Sequence, residues 1–486
     1  MIVPPLWQAL LWPALAGGVG WGIRGQYGHG TGAMIAGLLV SLTLAMLFCR
    51  RGSPLAVARA VAIGTVAMGF GGVMTYGQTI GLTQNPTLIG NGHALGWGLF
   101  GLAIKGAIWI GLFGVFLGMG LGGVRYRPVE LGGCLLGLIG LMLLGQFLLN
   151  QPFDPVHRQL PAIYFSADWR WEPLAELKPR RELWGGLLFA LTGAVLYAGV
   201  YRRDRLARQL AGWGALGGGL GFSLGQCVQA FHAWNQSWFQ HGFLGRIDPL
   251  INWWNAMEVT FGAIFAAVLG LGLWLNRKRV AALDEPADIR LPFSVELVLL
   301  AVHIVLLGLW QFGSIPALDA VGDLALPMAL IPMIAVAGGR HWPYWMILPV
   351  TAFPIAGKTL LAATGSDLST SDVMTWIGCV VAPLVVTAAA AMRWAGSVGS
   401  TRPGDGSVFA ARTLILSTWL YLALNQVIFG VPWPWSAWNH RATSAFVFLA
   451  GAIGLTLAAS RRARIAAGGA VERRGGTQDG CINIKN

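Results

Sequence analysis

Charge is what this sequence has least of. Charged residues make up 11% of its 486 positions, only 20 of them acidic, while the apolar set AVILMFWYC makes up 55%. An ordinary soluble domain carries roughly 25% charged residues. A chain so poor in them cannot cover a water-facing globule, which excludes a soluble enzyme and a nucleic-acid-binding protein. Cysteine is scarce too: Cys49, Cys134, Cys227, Cys379 and Cys481 are scattered, with no C-x-x-C and no paired spacing. Neither a disulfide framework nor a cysteine metal knuckle follows from that. Also missing are a Walker A loop, a G-x-S-x-G elbow, an H-E-x-x-H pair and a dinucleotide-binding glycine fingerprint in a βαβ setting. No cofactor and no metal site are therefore expected.

Long apolar runs are what is present. A membrane helix needs about 20 mostly apolar residues. Candidate runs cover 5–23, 31–49, 60–82, 94–123, 130–149, 184–201, 209–231, 253–275, 294–313, 324–339, 343–362, 373–392, 412–430 and 443–460. The expected fold is all-α, a polytopic transmembrane bundle of about fourteen spans. Residues 1–23 carry no charged side chain, so the first run reads as a retained helix, not a secretory signal. The run 94–123 is long enough to tilt or break.

Most of the 33 Lys and Arg residues fall on alternate connections, among them Arg50, Arg51, Arg202, Arg203, Arg205, Arg277, Lys278, Arg279, Arg461 and Arg462. Basic loops stay cytoplasmic. This predicts a multi-pass protein of the plasma (inner) membrane with both termini in the cytoplasm. The net charge of +13 then reads as a topology signal and an attraction to anionic membrane lipids, with no nucleic-acid partner.

The charged stretch 276–292 reads as a cytoplasmic linker. It separates a Gly-rich front bundle, 1–275, from a second membrane bundle, 293–460, and 461–486 reads as a disordered basic cytoplasmic tail. The front contains weak tandem helical-hairpin repeats. GGVGWGIRGQ ends at Gln26, GFGGVMTYGQ at Gln78 and GGGLGFSLGQ at Gln226; Gly28-His29 and Gly92-His93 open the helices that follow the first two. Repeated hairpins of this kind are common in transporters.

Polar residues at membrane depth are expensive and usually functional. Lys105 lies mid-span, Glu258 is about a turn and a half inside its run, and Lys358 is near the end of another. Lys105 and Glu258 follow related hairpins and are expected to pair. The expected substrate-binding set is therefore Lys105, Glu258, Gln26, Gln78, Gln226, His29, His93 and Lys358.

A second set lies in the outer loops 150–183 and 232–252. His157, Asp168, Arg170, His232, His241 and Arg246 stand there among tryptophans. Rings stack on a sugar, Arg forks a phosphate, and a histidine beside a carboxylate serves as a general base. One stretch here, Gly245-Arg246 to Asn252, resembles in part the prolipoprotein diacylglyceryl transferase signature G-R-x-G-N-F-x-N-x-E. Asp248-Pro249 stands where that signature has Gly-Asn, and the glutamate comes late, at Glu258. The likeness implies only how such residues on an outer face serve phospholipid-dependent chemistry.

Two functions follow. One is a secondary transporter or flippase for a polar or anionic, sugar- or phosphate-containing solute. The other is a membrane-embedded transferase acting on a lipid-linked or glycan substrate at the extracytoplasmic face. Partners in either case are membrane lipids and a small polar or lipid-linked substrate. A third reading, an accessory subunit without chemistry, leaves both residue sets dispensable.

Overall fold

The computed structural model describes residues 4–49, 52–74, 76–174, 176–281, 291–313, 315, 326–370, 372–396, 405–430 and 438–475. Among these the chain is mostly helical, and its β-structure is one isolated bridge, Asp154 to Gln159. The main helices are α1 (Leu6–Arg24), α2 (Ala33–Phe48), α3 (Pro54–Gly71), α4 (Gly77–Gln84), α5 (Gly92–Leu121), α6 (Pro128–Leu149), α7 (Trp184–Tyr201) and α8 (Arg205–Trp234). After them come α9 (Trp253–Leu275), α10 (Phe293–Phe312), α11 (Leu326–Gly338), α12 (Trp342–Ala363), α13 (Val373–Ala395), α14 (Asp405–Phe429) and α15 (His440–Gly475).

Ten of these helices are long and apolar enough to cross a membrane: α3, α5, α6, α7, α9, α10, α12, α13, α14 and α15. That is the character of a multi-pass membrane protein. Every apolar run of the sequence falls on a helix, but α1, α2, α8 and α11 are outside the ten. α2 and α11 are short, at 16 and 13 residues. In α1 and α8, glycine, tryptophan and glutamine dilute the hydropathy.

Those glycines are where helices touch. A Cβ on Gly17 of α1 would stand 2.1 Å from the carbonyl oxygen of Gly262 in α9, and the reverse distance is the same. A Cβ on Gly218 of α8 would stand 2.0 Å from the Gly106 oxygen of α5. Small residues let backbones approach this closely without side chains between them. α2 lies at the centre, buried from Ala33 to Leu47. By contrast α10 and α13 turn Val298, Val305, Val385 and Val386 outward, the surface a bilayer covers.

The ends of the bundle differ. At one end, called here the capped end, the loop between α6 and α7 folds over the chain. Gln78 Nε2 donates to Lys178 O at 3.0 Å, Asn85 Nδ2 donates to Glu172, and Trp234 Nε1 donates to Thr83 O at 2.9 Å. At the opposite end, Arg59 donates to Gly339 O at 2.9 Å and Glu296 accepts from the N–H groups of Arg340, His341 and Trp342. A buried carboxylate thus caps the first turn of α12, where backbone donors lack partners.

Two runs depart from the expected limits. The run 60–82 is not one helix: α3 stops at Gly71 and α4 starts at Gly77. The break begins at a point of close packing where a side chain would not fit, since a Cβ on Gly72 would stand 2.0 Å from His29 O. The run 94–123 does not break. α5 is continuous over 30 residues, about 45 Å at 1.5 Å per residue. The last helix continues past 461 to Gly475, in keeping with the Ala and Arg content of that stretch. Residues 476–486 of the expected tail and 282–290 of the expected linker lie outside the described residues.

Candidate functional site

α1 ends in a buried cation. Arg24 is followed at once by the turn 25–32, so its side chain stays within the bundle. Its Nη1 donates to Glu258 Oε1 of α9 at 2.9 Å. Asn255 Nδ2 donates to the other carboxylate oxygen at 3.1 Å, and Ser444 Oγ donates to Asn255 Oδ1 at 3.1 Å. The Arg24 guanidinium also donates to His29 Nδ1 and lies over the Trp21 and Tyr76 rings, 4.9 and 5.5 Å from their centres. Ring faces of this kind help to hold a desolvated guanidinium.

A second buried pair stands nearby. Lys105 Nζ of α5 donates to Glu182 Oε1 at 2.6 Å and to Thr79 Oγ1 of α4 at 2.8 Å. Ser166 Oγ donates to the same carboxylate oxygen at 2.7 Å, so the Thr79 hydroxyl, 3.1 Å from Ser166, donates to it. The Phe165 N–H reaches Glu182 Oε2 at 3.0 Å. Lys105, Thr79, Ser166 and Glu182 therefore close a ring of hydrogen bonds. Both carboxylate oxygens have partners, the condition for keeping a charge buried.

A cavity of about 80 Å³ lies between the two pairs, lined by His29, Tyr76, Gly77, Gln78, Ser166 and Arg180. His29, Gly77 and Arg180 are exposed, so it opens at the capped end. Gln78 fixes one wall: its Oε1 accepts from the Arg180 N–H at 2.9 Å, while Tyr164 donates to Arg180 O at 2.7 Å. The Arg180 backbone is thus held from both sides. Its guanidinium has no acceptor among the described residues. The His29 ring meets Tyr76 edge-on at 4.5 Å. Its pKa is pushed down to about 3, first by loss of hydration around the ring and then by the charges of Arg24, Lys358 and Arg180.

Lys358 of α12 closes the far side of the turn. Its Nζ donates to Tyr27 O at 2.6 Å and to Thr31 Oγ1 at 2.9 Å, and Tyr27 donates its hydroxyl to Thr359 at 3.1 Å. Arg24 pairs with Glu258 and Lys105 with Glu182, while Arg180 and Lys358 have no carboxylate partner among the described residues, so the described part of the region carries a positive excess.

His29 and Gln78 line the cavity, and Lys105, Glu258 and Lys358 flank it. Gln226 donates to Thr83 Oγ1 at 2.7 Å, behind α4. Gln26 is half-buried in the turn, and His93 is exposed at the start of α5. The expected pairing of Lys105 with Glu258 does not occur. Each charge takes a partner at its own depth from near a helix end, Glu182 two residues before α7 and Arg24 at the last residue of α1. Sequence reading missed Arg24, Tyr76, Thr79, Ser166, Arg180 and Glu182. The usable signal was a single acid or base directly against an apolar run, as at Arg24 and Glu182.

The loop set stands apart. His157 pairs with Asp154 at 2.5 Å on the open surface. Asp168 accepts the Arg170 and Trp171 N–H groups and closes a turn, with the Arg170 guanidinium 3.4 Å away. His232 Nε2 is 2.9 Å from Asp248 Oδ1, and its ring stacks on Trp253 at 4.3 Å. His241 and Arg246 are exposed. Apart from the Asp168–Arg170 contact, no hydrogen bond or ion pair among the described residues joins the members of this set to one another. Nor does any group of three or more His, Cys, Asp or Glu side chains gather among the described residues as a metal site. No protein-family model, curated protein or solved structure matches the chain.

Proposed function

We propose that this chain is a secondary transporter of the plasma (inner) membrane that takes up a small anionic solute at its capped, outward face. Both termini are then cytoplasmic, as the distribution of Arg and Lys favours. The observation that carries the reading is the small cavity between two buried ion pairs, lined in part by Arg180, whose guanidinium has no acceptor among the described residues. Arginine without a partner is suited to fork an oxyanion such as phosphate or a carboxylate. Size supports a small solute. A water needs roughly 10–15 Å³ of such space, so about 80 Å³ admits an ion the size of phosphate and leaves no room for a lipid-linked sugar. The site also sits where the apolar run of α3 and α4 is interrupted, and interrupted helices are the usual place for a transported solute.

A transferase reading keeps one observation, the His232–Asp248 pair stacked on Trp253, which is a histidine beside a carboxylate in a general-base arrangement.

Purified protein in proteoliposomes tests the proposal. Inorganic phosphate, sulfate and small carboxylates would be screened for thermal stabilisation, and each binder would be followed for uptake as a radiolabelled ion. A binder whose uptake Arg180→Ala abolishes supports the reading. Absence of any stabilising anion, with wild type and Arg180→Ala indistinguishable, removes it.

A further inference from the structure

α14 and α15 pack on each other, yet a groove of about 310 Å³ runs between them. Ligand pockets run upwards from about 300 Å³. Trp419, Ala423 and Gln426 of α14 line one side, and Ala445, Phe446 and Leu449 of α15 the other. Spacings of three and four residues put each set on one helix face. Ala423 and Phe446 are exposed, so the groove opens on the side of the bundle.

The lining is apolar except at Gln426, whose Oε1 is buried without a hydrogen-bond partner among the described residues. An unpaired amide in apolar surroundings is costly. Trp419 is satisfied: its indole N–H donates to Thr456 Oγ1 of α15 at 2.9 Å and ties the two helices together at the floor of the groove.

Depth decides what fits. α15 starts at the capped end, where Ser444 bonds to Asn255 beside Glu258. Counting back from Phe429 at the end of α14, Gln426 lies about 5 Å and Trp419 about 15 Å along the helix axis. The hydrocarbon of one leaflet is about 15 Å thick, half of a core of about 30 Å. The groove thus ends where the leaflet ends. A partner helix needs a matching face through both leaflets, whereas an acyl chain needs only one.

The mouth carries the charge a lipid requires. Arg441 stands one turn before Ala445 on the same face of α15, and helical side chains lean towards the N-terminus, here out of the groove. Arg441 is exposed, and its guanidinium has no hydrogen-bond or ion-pair partner among the described residues. Trp438 marks the same level: its N–H donates to Thr443 at 3.1 Å and its ring stacks on Phe446 at 5.0 Å, and tryptophan favours the membrane interface. An arginine forks a phosphate. Below it, a half-turn of the last Gln426 torsion presents the amide N–H to an ester carbonyl.

We propose that this groove binds one phospholipid of the leaflet at the capped end, with an acyl chain between α14 and α15 and the phosphate on Arg441. The inference stands independently of the solute proposed above.

Native mass spectrometry of the full chain in detergent, titrated with phosphatidylglycerol, tests it. One lipid should bind ahead of the rest. Arg441→Ala should weaken that first step about ten-fold, the order of one lost charge-assisted fork. Diacylglycerol with the same chains lacks the phosphate and should bind wild type and Arg441→Ala alike. Ala423→Trp fills the groove from an exposed position and should remove the first step. A smooth lipid distribution shared by wild type and both variants overturns the proposal. So does a wild-type dimer that Ala423→Trp makes monomeric with lipid binding unchanged, which assigns the groove to a second copy. If Ala423→Trp fails to fold, the comparison of Arg441→Ala with diacylglycerol decides alone.

Discussion

Removing one charge of the Lys105–Glu182 pair gives the sharpest test of the site's architecture. Glu182→Gln keeps the shape, but its single amide oxygen can accept from Ser166 or from the Phe165 N–H and not from both, since these donate to different oxygens of the carboxylate. It also loses the negative charge 2.6 Å from Lys105 Nζ. Both side chains are only 1% exposed, so solvent screens the loss very little. Breaking a buried pair from one side costs about 3–5 kcal/mol, because it leaves an uncompensated charge. Unfolding entropy scales at about 2.1 cal/mol/K per residue. A cooperative chain of this size then loses roughly 1 °C of Tm per kcal/mol, or about 3–5 °C in total. Lys105→Met should show a drop of the same order. The double variant should recover most of it, since an apolar replacement of a whole buried pair is often neutral. The assay is thermal denaturation in detergent, followed by loss of the monodisperse chromatographic peak. A drop below about 1 °C in both single variants, or strictly additive losses in the double variant, would refute a buried charged pair.

The remaining predictions concern the cavity and its frame. Arg180→Ala should weaken anion binding about ten-fold, near 1.4 kcal/mol, while Tm in the absence of the anion stays within a degree or so of wild type; titration of a stabilising anion reads both. Arg24→Lys should destabilise by about 1–3 kcal/mol, because a lysine cannot reach Glu258 and His29 together while lying flat on Trp21 and Tyr76; an unchanged melting curve would show that the fork is idle. Gly262→Ala should cost about 1–3 kcal/mol by overpacking, since its Cβ would stand 2.1 Å from Gly17 O, and the same denaturation assay checks it. His29, with its folded pKa lowered from 6.5 to about 3, takes up its proton more readily in the unfolded chain. Its contribution to stability is therefore complete above about pH 6.5 and is lost as pH falls towards 3. A His29→Gln variant should show a flatter decline of Tm over that window, and identical pH profiles would remove the assignment.

Apolar periodicity made the helices legible, because each run is set by its own composition. The glycines of α1 and α8 were legible as close contacts, though not as contacts to particular helices: Gly17 meets Gly262 and Gly106 meets Gly218 across more than a hundred residues of chain. The cavity was legible in part. His29 and Gln78 carry a local signal, a polar residue beside glycine at the end of an apolar run, and they line it. Arg180 and Ser166 belong to the long loop, where nothing in the local pattern says which residues fold back over the bundle. Charge pairing was misread for a related reason. Lys105 and Glu258 are both inside apolar runs, and proximity in a repeat suggested that they meet. A charge inside a helix, however, is neutralised most cheaply by one that enters from a helix end, where the chain can bring it to the required depth without carrying it through the bilayer. Arg24 on the last residue of α1 and Glu182 two residues before α7 do this, and each also anchors an interruption of the chain at the cavity. The same placement that lowers the cost of burying the charges therefore builds the walls of the site.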